Sequence, residues 1–92
     1  MLFPLKTSVV AREIDGELLL HDQRSGNVHR LNSAAAVVWH LCDGSRDAET
    51  IASDLGATFG ILSADVTRDV NEILTRFTDS GLIEWRAGGD ER

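Results

Sequence analysis

The chain has 92 residues, of which 42% are hydrophobic and 26% charged, with a formal net charge of −6. That length suits one domain with a modest core and leans toward a binding module rather than a deep catalytic cleft. The acidic balance argues against nucleic acid and against anionic membrane surfaces, both of which call for a basic face.

Thr7 to Ile14 is rich in β-branched residues and reads as a strand. Asp15-Gly16 follows, a pair that tolerates positive φ and so closes a tight hairpin. Glu17 to Asp22 is a second strand, Arg24-Ser25-Gly26-Asn27 a second turn, and Val28 to Leu31 a third strand. The third strand is expected at the sheet edge, because the chain then leaves the sheet. Asn32 or Ser33 caps a helix running through Ala34 to Cys42, which Gly44 ends. Asp47 caps a second helix, whose Ala48, Ile51, Ala52, Leu55 and Phe59 recur at helical spacing. Ser63 caps a third, with Val66, Val70, Ile73, Leu74 and Phe77 as its apolar stripe and Gly81 as its stop. Leu82 to Trp85 is either a short last strand or an extended tail packed on the core. The order βββααα predicts an α+β fold, a single domain over residues 1–85 with a frayed polar tail at 86–92.

The one cysteine, Cys42, excludes an internal disulfide and fits a reducing cytoplasm. No apolar run approaches the roughly 20 residues of a membrane span. The start, Met1 to Lys6, is too short for a signal peptide and is interrupted by Pro4 and Lys6. His21, His29, His40 and Cys42 are the polar candidates for catalysis. His40 and Cys42 stand two apart, so one helix turns them to different faces, and no second Cys pair or paired-His spacing accompanies them. There is no Gly-rich phosphate loop. The expectation is a protein that is not an enzyme, with no metal site and no cofactor.

The spread of motifs resembles the PqqD family of recognition elements for ribosomally made precursor peptides. The residues that carry the resemblance are Val10-Ala11-Arg12 with Asp15-Gly16, Leu18-Leu19-Leu20, and Gly26 to Asn32 running into Ala34-Ala35-Ala36-Val37-Val38-Trp39. Asp43-Gly44-Ser45-Arg46, Ile51 to Leu55, Asp69-Val70, Ile73-Leu74 and Ser80 to Ile83 continue it. Asp47 stands where the family often has a hydroxyl cap, and serves equally well. The resemblance implies a winged-helix-like domain without chemistry of its own. A leader peptide adds as an antiparallel strand to the edge of the three-stranded sheet, in a groove between the third strand and the third helix. The domain then presents the attached peptide to a modifying enzyme such as a radical SAM protein, a protease or a cyclase.

Strand addition needs an unpaired edge, which Asn27, Val28, His29, Arg30 and Leu31 supply. Alternation puts Val28 and Arg30 on one face and His29 and Leu31 on the other, Leu31 toward the core. At about 100° per residue, Val66, Val70, Ile73 and Phe77 share one face of the third helix, with Asp69 and Arg76 on its flank. Val66, Val70 and Ile73 are the expected groove floor, and Asp69 and Arg76 the readers of charge on the leader. The competing reading makes the stripe plain core and pairs Arg68 with Glu72 and Glu72 with Arg76 along a solvated face. Two other functions stay open: a structural or regulatory subunit of a biosynthetic complex, and a DNA-binding winged helix. The second is disfavoured by Asp65, Asp69, Glu72 and Asp79 on the third helix. An exposed edge also suits either a monomer or a dimer.

Overall fold

The computed structural model describes residues 2–60 and 63–87. The elements in chain order are β1 (Leu2–Lys6), β2 (Val10–Ile14), β3 (Glu17–His21), β4 (Val28–Leu31), α1 (Ser33–Leu41), α2 (Ala48–Phe59), α3 (Ser63–Asp79) and β5 (Ile83–Ala87). Strands β2, β3 and β4 form an antiparallel sheet in that order, followed by three helices, which is the α+β arrangement expected. Asp15 (φ 53°) and Gly16 (φ 80°) both take the left-handed conformation a two-residue hairpin loop demands. That loop sets Ile14 opposite Glu17 and Val10 opposite His21.

A second, two-stranded sheet pairs β1 with β5, with Leu2 opposite Ala87 and Lys6 opposite Ile83. β1 is absent from the sequence reading, where Pro4 and Lys6 broke the apolar run. Each has a positive role instead. Pro4 is buried, and its carbonyl accepts from the Gly44 N–H at 2.9 Å. Lys6 donates from Nζ to the carbonyls of His40 (3.1 Å) and Cys42 (3.2 Å), and from its backbone N–H to the same Cys42 carbonyl (3.0 Å), which together tie down the end of α1. Its ammonium also lies 5.1 Å from the centre of the Trp39 ring. Gly44 sits at φ 83°, and a Cβ there would come within 3.2 Å of the Leu5 side chain, so the crossing needs glycine.

The expected strand from Thr7 begins only at Val10. Thr7 is held elsewhere, its N–H on the Leu82 carbonyl (3.0 Å) and its hydroxyl on that of Gly81 (2.8 Å). The final segment is a strand rather than a tail, and it extends through Arg86 and Ala87, which were expected to fray; residues 88–92 lie outside the described residues.

Asn32, not Ser33, caps α1, its side chain accepting from the Ala35 N–H at 2.8 Å. Asp47 caps α2 through the Thr50 N–H at 2.8 Å. Ser63 falls inside α3, and its side chain lies outside the described residues. Beyond α3, the Leu82 N–H reaches back to Phe77 at 2.9 Å. The core joins one face of the sheet (Leu18, Leu20, Leu31) to Val38, Trp39 and Cys42 of the α1 segment, Ile51 and Leu55 of α2, and Val66, Val70, Leu74 and Phe77 of α3. Leu82 and Ile83 close it from the β5 side.

Candidate functional site

β4 pairs only with β3, in a register that sets Leu20 opposite His29 and Leu18 opposite Leu31. Among the described residues no strand lies on its other edge, since β5 is taken up by β1. The phase of the ladder decides which backbone groups are free. The Asp22 N–H donates to the Asn27 carbonyl at 2.9 Å, which makes that a hydrogen-bonded pair. Alternation then makes Leu20–His29 and Leu18–Leu31 hydrogen-bonded pairs as well. His29 and Leu31 therefore spend their N–H and C=O groups on β3. Val28 and Arg30 turn theirs outward, to the open edge.

Beside this edge runs a groove of about 340 Å³ between β4 and α3. Val28 to Asn32 form one wall, Ile73, Arg76 and Phe77 the other, with Ala35, Ser80 and Leu82 at the ends and floor. A second hollow of about 340 Å³ opens on the other side of Ile73, between the start of α1, the end of α2 and α3. Leu55, Phe59 and Val66 give it an apolar lining, with Asp69 at its rim; Ile73 and Asn32 border both hollows. Phe59 is 43% exposed there.

The sequence-predicted residues separate accordingly. Val28, His29, Arg30, Leu31, Ile73, Arg76 and Phe77 are brought together at the groove. Val66 and Asp69 lie at the neighbouring hollow. Asn27 stays in the exposed turn and lines neither. Val70 is 0% exposed, so it belongs to the core and not to an accessible floor. Val66 and Phe77 are also buried, leaving half-buried Ile73 as the apolar side chain that α3 offers to the groove. Asn32, Ala35, Ser80 and Leu82 were missed as wall residues. The signal for them was the lone residue between β4 and α1, which forces the start of α1 to close the end of the groove.

Polarity in the groove is unevenly met. His29 has an enclosed Nε2 without a hydrogen-bond partner. Arg30 pairs with Glu17 on the neighbouring β3 at 3.2 Å, an exposed pair of small energetic weight. Neither of the bracing pairs of the competing reading forms along α3: Arg68 turns to Asp65 at 3.2 Å. Arg76 and Asp69 thus have no ion-pair partner among the described residues and remain available to an incoming charge.

Of the former catalytic candidates His29 lines the groove, and the other three are placed apart from it. Cys42 is fully buried, with Sγ donating to the Val38 carbonyl, and burial pushes its thiol up to about 12. His21 and His40 are exposed. No group of three or more His, Cys, Asp or Glu among the described residues is placed to hold a metal. Asp43 is held down to about 2 by the hydroxyl and N–H of Ser45, with Arg46 adding its charge at 2.8 Å, in a turn that locks α1 to α2. Among the described residues no helix is long and apolar enough to cross a membrane.

The family model for coenzyme PQQ synthesis protein D (PqqD) matches residues 17–83. The structure of TbiB1 in complex with the TbiA(beta) leader peptide is similar in fold, with a TM-score of 0.77 at 23% identity over 94% of this chain and 99% of that one. Lasso peptide synthetase B1 complexed with the leader peptide is also similar, with a TM-score of 0.73 at 26% identity over 87% and 94% of the two chains. No curated protein matches the chain.

Proposed function

Since the chain belongs to the PqqD family, we propose that it binds the leader segment of a ribosomally made precursor peptide and presents it to a modifying enzyme. The observation that carries this reading is the open edge of β4 beside the groove it forms with α3, where apolar Ile73 stands among polar side chains. A guest strand antiparallel to β4 bonds its own backbone to Val28 and Arg30, which gives affinity with little demand on sequence. Its alternate side chains drop toward Ile73, and the groove around that side chain supplies the selectivity. Arg76 meets an acidic residue of the guest.

The domain performs no chemistry on the peptide. Its single thiol is buried and protonated, its exposed histidines stand away from the groove, and the groove lining that includes His29 holds no Cys, Asp or Glu beside it. A reducing cytoplasm suits a chain whose lone cysteine packs as an apolar residue. The test is titration of the isotope-labelled protein with the leader encoded by a short reading frame beside its gene. The expected result is micromolar or tighter binding, with chemical-shift changes at residues 28–31 and 73–77. Saturation with the leader and no change at those positions overturns the proposal.

A further inference from the structure

The sheet has a second surface that the groove does not use. Register and alternation put Val10, Ile14, Leu19 and Val28, with the cations Arg12 and Arg30, on the side of the β2–β3–β4 sheet turned away from the helices. Val10 is 37%, Ile14 48% and Val28 61% exposed, so this one face holds three of the five large apolar side chains left exposed among the described residues. Leu19 sits between Arg12 and Arg30 in a single cross-strand row. The one acid on the face, Glu17, is engaged by Arg30 at 3.2 Å, and Arg12 has no ion pair among the described residues. In a chain of net charge −6, this is a locally cationic, apolar-centred patch.

We propose that this outer face docks the modifying enzyme, through a patch on that enzyme with an apolar centre and an acidic rim. The proposal rests on the leader-binding reading for what the enzyme is. Three arguments select this occupant. Charge complementarity calls for an acidic partner surface. A second copy of the chain fits poorly, because face to face it sets two Arg12–Arg30 rows against each other. The face is also continuous with the groove, because Val28 and Arg30 belong to both. A guest added to β4 extends the sheet by one strand and sends its own alternate side chains onto this same face. The enzyme then reads β2, β3, β4 and guest as one surface, and the loaded domain is recruited in preference to the empty one.

The experiment uses the full chain, its leader and the modifying enzyme encoded beside them. Enzyme affinity is measured with and without leader, and leader affinity separately, for wild type, Arg12→Glu, Ile14→Ser and Glu13→Lys. β2 is exposed along its whole length, so these changes spare the core, and thermal melts verify it. Arg12→Glu is expected to weaken enzyme binding by at least about tenfold, and Ile14→Ser by several-fold, with leader affinity held within about twofold. Glu13→Lys, on the other side of the sheet, leaves enzyme binding intact. Wild-type enzyme affinity in both Arg12→Glu and Ile14→Ser overturns the proposal, as does an enzyme that does not bind the wild type. So does a wild-type dimer that Arg12→Glu dissolves, which assigns the face to a second copy. If the leader fails to bind while enzyme binding stays sensitive to Arg12, the leader reading falls and the docking face stands.

Discussion

Proline substitution along β4 distinguishes the free backbone groups from the spent ones. The Arg30 N–H points to the open edge, so Arg30→Pro removes no bond to β3. Its cost to the fold is limited to backbone preference and the exposed Glu17 pair, together about 1 kcal/mol. His29→Pro deletes a bond to Leu20 inside the ladder and places the ring against β3, a loss of about 3 kcal/mol or more. On the guest the order reverses. Arg30→Pro takes away one donor and leaves a guest carbonyl unpaired under the ring, about 2 to 4 kcal/mol, or a leader affinity lower by roughly 30-fold to 1,000-fold. Arg30→Ala controls for the lost side chain and keeps the donor. Circular-dichroism melts report the fold, and fluorescence anisotropy with labelled leader reports binding. A well-folded Arg30→Pro protein that binds leader as tightly as Arg30→Ala refutes the assignment of the outward N–H.

Val70→Ala should lower stability by about 2 kcal/mol, roughly 10 °C in Tm, with leader affinity unchanged, because its side chain is wholly internal. Ile73→Ala should do the opposite, weakening leader binding about tenfold with a smaller effect on the melt. The Cys42 thiol is raised from 9.0 to about 12 by burial, so its stabilising contribution is complete below pH 9 and declines as pH rises toward 12. Cys42→Ala should lack that alkaline loss in a pH series of chemical melts. Asp43 is lowered from 3.8 to about 2, so its contribution is present above pH 3.8 and lost as pH falls through 2. Asp43→Asn should flatten that part of the acid limb.

Much of the fold was legible because the signals were local. Asp15-Gly16 specified a hairpin, Asn32 and Asp47 specified caps, and the stripe from Val66 to Phe77 specified the buried side of α3. β1 was not legible, because its partner β5 lies at the far end of the chain and a five-residue strand with a central proline has no recognisable period. The groove was legible as a pair of elements but not as a set of side chains. Helical angles place Val70 and Ile73 on one face, yet only the packing of the whole core decides that Val70 is sealed and Ile73 is not. The competing reading of α3 as a braced face failed for a similar reason: Arg68 had acids at both i−3 and i+4, and chose Asp65. Glu72 nonetheless makes no ion pair with Arg76 among the described residues.

Residue-resolved amide exchange, with and without saturating leader, tests the strand-addition claim most directly. The N–H groups of His29 and Leu31 already bond to β3 and should be slow in both states. Those of Val28 and Arg30 should exchange quickly in the free protein and slow markedly once the leader is bound. A bound leader that leaves Val28 and Arg30 exchanging as before would contradict the account.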